Sequence, residues 1–219
     1  FLEEARSRPL LESLTQLGAL GNFYRPLSRQ LYFAALAPVS GGTPAVFHLV
    51  NATLFCAALV LLFDLLLALA PPAAAMAGAL YFALLPFQRV NLTWISCSQD
   101  LLALVGILGA LALHRRGRRG WASLAALAAL ASKEAALPLP LALAAWERFI
   151  AGRPARAALA RAWPAAAVVL AWVIVLAVMR ALHPGAAAFL RFGPEQFLAG
   201  YAHEAQSLLG LDHPGGRSE

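Results

Sequence analysis

Composition, span length and charge placement together predict an all-α, polytopic integral membrane bundle. The chain has 219 residues, of which 61% are hydrophobic and 13% are charged. Its mean hydropathy is +0.69. Soluble domains run about 45–50% apolar and about 25% charged. These numbers exclude a soluble globular enzyme, and a disordered chain as well. At ~20 residues per helical span, the chain has room for about six spans. The basic residues gather in two loops, which is how topology is encoded in helical membrane proteins.

The net charge is +6 and the pI about 10.1. In a soluble protein that balance points to nucleic acid. Here it is read as topology, and no nucleic-acid partner is expected. Lys133 is the only lysine among 17 basic residues, which singles it out. Cys56 and Cys97 fit neither a disulfide framework nor a metal set. Cys56 lies in an apolar run and is expected to be a buried free thiol. No signal peptide opens the chain at Phe1. It reads as a fragment, with at least one span upstream.

The elements follow in order. Residues 10–20 form an amphipathic helix, with Leu10, Leu14 and Leu17 on one stripe. Gly21-Asn22 breaks it. A second short helix covers residues 28–36 and stops at Pro38. Both are too short to span and suit a membrane surface. Residues 45–70 make the first clear span, ended by Pro71-Pro72. Residues 73–86 are a second, shorter one. A polar patch over 88–100 precedes a third at 101–113, with a start as early as Trp94. A basic loop holds Arg115, Arg116, Arg118 and Arg119. Residues 121–131 and 135–146 are short apolar helices around Ser132-Lys133-Glu134. A second basic stretch holds Arg148, Arg153, Arg156 and Arg161. Residues 163–182 form the last span.

Parity decides the topology. The two basic stretches hold eight of the 17 basic residues. If 121–146 is a helical hairpin, both lie on the cytoplasmic side, as charge bias requires. One continuous span would separate them. It would also bury Lys133 and Glu134 at roughly 2.5–3.5 kcal/mol each. The hairpin is therefore preferred, with residue 117 cytoplasmic and residue 133 external. Residues 1–44 are then an external loop with interfacial helices. Residues 45–182 are the transmembrane helical domain, and 183–219 an external C-terminal segment.

Four polar segments thus converge on the external face. Tyr24-Arg25 sits beside the interfacial helices. An Arg fork next to an aromatic ring can hold a lipid phosphate, or simply snorkel. His48 and Asn51 are i and i+3 and share a helix face. They serve either a function or interhelical packing. Asp64, near the cytoplasmic end of the same span, is solvated or paired. Trp94 suits an interfacial belt, and Asp100 an N-cap. Arg89 has no such structural account. Lys133 offers a point charge with three donors, suited to a phosphate. Ser132 suits the N-cap of the second arm, with Glu134 in its first turn. The alternative is a plain Lys–Glu turn. No metal-ligand spacing, phosphate loop or nucleophile elbow is present, and no cofactor is expected.

The order of these motifs is more specific than any one of them. Phe23-Tyr24-Arg25-Pro26-Leu27 is followed by Phe47-His48-Leu49-Val50-Asn51. Trp94-Ile95-Ser96 and Asp100-Leu101-Leu102 come next, then Ser132-Lys133-Glu134-Ala135-Ala136 with Leu137-Pro138. Over residues 22–146 the succession resembles the bacterial protein O-mannosyltransferase-like glycosyltransferases of the GT-C fold. These include members that carry tetratricopeptide repeats after the membrane domain. The chain departs from the pattern where Leu85-Pro86 replaces His-Pro and Cys97-Ser98 replaces Gly-Arg.

The resemblance implies an inner-membrane enzyme of bacteria with its active face external. It implies sugar transfer from a polyprenyl-phosphate donor to a hydroxyl of a protein or glycan. The family's general base, an Asp or Glu after the first span, would fall upstream of Phe1. By position, Lys133 matches the lysine near the lipid phosphate, with Arg25, Tyr24 and Arg89 as further donor-binding candidates. His48, Asn51, Asp100, Ser132 and Glu134 are the other candidate site residues. Metal dependence stays open. The reading from another class is a non-catalytic membrane protein, such as a transporter of a lipid-linked intermediate or a scaffold.

Overall fold

The computed structural model describes residues 24–183, together with Leu14 and Thr15. The amphipathic helix expected at 10–20 and the segment after His183 lie outside the described residues, Leu14 and Thr15 apart. All regular structure among the described residues is helical.

A π-helical turn, Pro26–Leu31, runs into α1, Tyr32–Leu36. Pro26 occupies the first helical position, where a missing N–H costs nothing. Tyr32 and Phe33 of this segment are buried against Phe47, while Leu31 and Val39 stay exposed. Gly41 and Gly42, both at positive φ, turn the chain into α2, Ala45–Leu66. That helix ends at Leu66, and residues 67–70 form a turn before Pro71-Pro72. Pro72 then opens α3, Pro72–Leu84, and α4 follows at Phe87–Thr93. A single 3-10 turn, Ile95–Cys97, leads into α5, Ser98–Arg115.

α6 covers Arg119–Ser132. Lys133 breaks it in an extended conformation (φ −160°, ψ 145°). A short 3-10 turn, Glu134–Ala136, and Pro138 complete the reversal into α7, Leu139–Ala145. A second π-helical turn, Trp146–Ile150, leads to α8, Ala155–Leu182.

Ala45–Leu66, Ile95–Arg115 and Ala155–Leu182 are each long and apolar enough to cross a membrane. α3 and α4, bent by 64°, make a fourth span if counted together. The sequence reading of about six membrane helices thus resolves into three long helices, one bent pair and a hairpin of short arms. The arms, α6 with 14 residues and α7 with seven, fall below that length.

Inside a bilayer, lipid is as apolar as leucine, so close packing and polar contacts carry helix association. The packing surfaces are accordingly rich in alanine. Ala110, Ala126, Ala162 and Ala165 meet Leu139 and Leu143 in one cluster. Ala58 and Ala112 meet Leu65 and Leu108 in another. Gly106 marks a close approach of α5 to α6. A Cβ there would lie 2.8 Å from Ala129 Cβ and 3.0 Å from the Ala125 carbonyl oxygen. Gly106→Val should therefore lower stability by about 1–3 kcal/mol. A thermal unfolding midpoint within 1 °C of wild type in detergent would contradict this contact.

The charges bind the two ends of the bundle. Asp64, late in α2, accepts from Arg115 Nη2 at 2.6 Å and from Arg116 Nη2 at 2.9 Å. Glu147 Oε1 pairs with His114 Nε2 at 2.9 Å and accepts from Arg161 Nε at 2.7 Å. Its Oε2 lies 2.7 Å from Arg153 Nε. Both basic stretches therefore sit at one end. α6 leaves that end, the chain reverses at Lys133, and α7 returns to it. Expected topology follows. In a background lacking Cys56 and Cys97, cysteines at Arg118 and Arg153 should label from one face and Lys133→Cys from the other. Gly117 itself is a poor reporter, because its φ of +76° strains any side chain. Labelling of positions 118 and 153 from opposite faces would refute the hairpin.

Candidate functional site

The polar end is built from three segments far apart in sequence. Arg25, just before the Pro26 turn, donates from Nε and Nη2 to Glu134 Oε2 at 3.0 and 2.6 Å. Its Nη1 donates to Gln99 Oε1 at 2.6 Å. Lys133 Nζ donates to Asp100 Oδ1. Ser28 Oγ donates to the Ser132 carbonyl at 2.7 Å, closing the gap between the first turn and the hairpin tip. The tip is thus held from two sides, by the Pro26 turn and by the first turn of α5.

Exposure separates the two cations. The Arg25 side chain is 9% exposed, and its guanidinium is spent on Glu134 and Gln99. It holds the tip in place and is poorly placed to take a ligand. Lys133 and Asp100 are each about a third exposed, at 32% and 33%. That pair is the accessible part of the cluster. Arg29, one helical turn after Arg25, adds a third cation. Burial, then the neighbouring Arg25, lowers its pKa, while Glu134 acts the other way.

Tyr24 takes a different part. Its ring stacks on Trp172 of α8, with centroids 5.7 Å apart and planes at 23°. Its hydroxyl donates to the Leu14 carbonyl at 3.0 Å, and burial raises its pKa. It joins the segment before α1 to α8.

His48 and Asn51 do not join the charged cluster. Asn51 accepts from the Tyr32 hydroxyl at 3.1 Å and donates to the Trp94 carbonyl at 3.2 Å. His48 Nδ1 lies 3.2 Å from the Leu92 carbonyl. Both fasten the end of α4 to α2, which is the packing reading. Burial pushes the Tyr32 phenol up to about 12, so it stays a neutral donor. Arg89 is exposed on α4 and stands outside the cluster, as does the exposed Trp94.

Three local expectations are corrected. Asp100 does not cap α5. The N-cap is Cys97, and Asp100 lies in the first turn, turned toward Lys133. Ser132 does not cap the return arm. It ends α6, and its hydroxyl donates back to the Ala128 carbonyl at 2.8 Å. Cys56 is exposed on α2, not buried, whereas Cys97 is buried. An apolar run marks a span but not which side of it meets lipid.

The cluster is recessed. Helical rise makes α6 about 21 Å long and α2 about 33 Å. Trp172 is level with Leu130 and Ala136 at the hairpin tip. Residues 173–182 carry α8 about 15 Å further, with Ile174, Val178 and Leu182 exposed. The tip therefore turns well below the outer end of α8.

Gln99, Ser28, Arg29 and Trp172 were not singled out by the sequence. Ser28 and Arg29 carry a weak signal, being three and four residues after Arg25 on a helical turn. Gln99 lies within the polar patch at 88–100, and Trp172 carries no such signal. No family model matches the chain, and no curated protein or solved structure matches it.

Proposed function

We propose that the chain is the lipid-phosphate-handling part of a GT-C-type membrane glycosyltransferase of the bacterial inner membrane. In this reading it transfers a sugar from a polyprenyl-phosphate donor to a hydroxyl of a protein or glycan on the external face. The observation that supports it is the meeting of the Tyr24-Arg25, Gln99-Asp100 and Lys133-Glu134 motifs. The sequence separations are 74 residues for Arg25–Gln99 and 109 for Arg25–Glu134. The same motifs carry the sequence resemblance.

The roles divide by exposure. Lys133 is the cation for the phosphate, which becomes the leaving group when the anomeric bond breaks. Asp100 orients its ammonium. Arg25, Glu134 and Gln99 fix the backbone of the tip, so that Lys133 is positioned before the donor arrives. The recess lets a lipid head group reach Lys133 while its chain stays in the bilayer. In that family the general base that deprotonates the acceptor is a carboxylate of the first external loop.

A second reading has its own support. Arg25 and Lys133 are each paired with a carboxylate, as in a purely structural clamp. A transporter of a lipid-linked intermediate, or a scaffold, would need no more. Transfer assays on the full-length protein separate the two. Incubation with a polyprenyl-phosphate sugar and a hydroxyl acceptor should give product in the first case. Donor bound and moved across vesicles, with no glycoside formed, would favour the second.

A further inference from the structure

The basic end carries a charge excess that neither reading uses. Arg115 and Arg116 share Asp64, while Arg153 and Arg161 share Glu147. Arg118, Arg119, Arg148 and Arg156 make no ion pair with any described residue. Eight arginines thus face two carboxylates, a net of +6. That equals the formal charge of the whole chain, so the other nine basic and nine acidic residues cancel.

Large apolar side chains flank these arginines. Trp121 follows Arg119 by two residues and is 59% exposed. Trp163 follows Arg161 by two and is 62% exposed. Phe149, on the π-helical turn between α7 and α8, is 77% exposed, with the Arg148 guanidinium 5.6 Å from its ring centroid. Exposed tryptophans beside arginines are suited to the head-group layer, where one end of each ring is wet and the other dry. A nucleic acid would use the charge but leave these rings unsatisfied.

We infer that the basic end is a docking surface for anionic phospholipid head groups. The occupant is the phosphodiester of a lipid such as phosphatidylglycerol, with its acyl chains beside Trp121 and Trp163. Arginine suits the role because its planar fork binds two phosphate oxygens at once. Arg118 and Arg119 stand at the foot of one hairpin arm, and Arg148 at the foot of the other. Head groups bridging them would tie the two arms together from outside, a link that Glu147, bound to His114, Arg153 and Arg161, does not supply.

The test uses the purified full-length protein in nanodiscs, half phosphatidylcholine and half phosphatidylglycerol. Lipid retained after detergent extraction is read by native mass spectrometry. Phosphatidylglycerol should be retained in preference to phosphatidylcholine, and the preference should fall as salt rises from low to 0.5 M. Arg118→Gln, Arg119→Gln, Arg148→Gln and Arg156→Gln combined should cut retention at least about tenfold, given about fivefold per arginine at a membrane surface. Arg89→Gln with Arg180→Gln, away from this end, should leave it unchanged. Equal retention of both lipids by the wild type would overturn the inference. So would unchanged retention in the quadruple variant, or inorganic phosphate displacing nothing but itself binding as tightly as the lipid. If the quadruple variant does not accumulate, the salt series on wild type decides, and salt-independent retention refutes the surface.

Discussion

On the proposed glycosyltransferase reading, Lys133→Ala should reduce sugar transfer from a polyprenyl-phosphate donor by about 10²–10³-fold, the usual cost of removing one donor aimed at developing charge. The fall should appear in kcat more than in KM, since the phosphate gains charge as the anomeric bond breaks. Folding should survive the change. Lys133 and Asp100 are each about a third exposed. Water can hydrate the carboxylate left behind, and an ion pair this exposed is worth only about 0–1 kcal/mol. The thermal midpoint of a correctly inserted variant should therefore stay close to wild type. Lys133→Arg keeps the charge and should recover part of the activity. Wild-type turnover by Lys133→Ala would remove the residue from the mechanism and favour the structural clamp. Arg25→Ala is the instructive contrast. Its guanidinium is buried and satisfied by Glu134 and Gln99, so stability should fall together with activity.

The larger structural effect is expected at the opposite end. Glu147 is 4% exposed at the side chain and meets His114, Arg153 and Arg161. Glu147→Ala would leave the nearly buried His114 and two arginines without their carboxylate. Removing one partner of a buried pair costs about 3–5 kcal/mol. Glu147 joins the foot of α7 to His114 of α5 and Arg161 of α8, so α7 should detach from both. Glu147→Gln keeps a hydrogen-bond acceptor and should cost less. Thermal unfolding in detergent reads both, and an alanine variant as stable as wild type would show that the contacts add nothing.

The same residue sets an acid limit. Burial alone would raise the Glu147 pKa. Hydrogen bonding to and charge from Arg161, with His114, outweigh it and hold the carboxyl below its usual value of 4.5. A depressed folded-state pKa gives stability that is fully present above the unfolded value and lost as pH falls through the folded one. Unfolding midpoints should be flat in this contribution above about pH 5.5 and decline below 4.5. Glu147→Gln should flatten the decline.

Much of this was legible in the sequence, and the reasons are specific. Apolar runs located every long helix. The ends moved by a few residues, as at Leu66, where a turn over 67–70 precedes Pro71-Pro72. Charge bias identified the hairpin at 121–146, because two arginine stretches can share one side only if the chain reverses between them. What escaped was pairing. Asp100 in a first turn looks like a cap, and nothing local says that Lys133, 33 residues on, will take it instead. Ser132 was misassigned for the same reason: its partners lie within α6 and at Ser28.

By itself, the sequence determined the all-helical class, the place of the helices long and apolar enough to cross a membrane, and the segregation of charge. Those follow from transfer energies of local stretches, which add residue by residue. Only the tertiary structure decided which cation stays within reach. In sequence both Arg25 and Lys133 are candidates for a phosphate, with Lys133 the sharper of the two. Packing buries the first against Glu134 and Gln99 and leaves the second about a third exposed at the hairpin tip. That distinction depends on helices brought side by side, and no local property of either residue contains it.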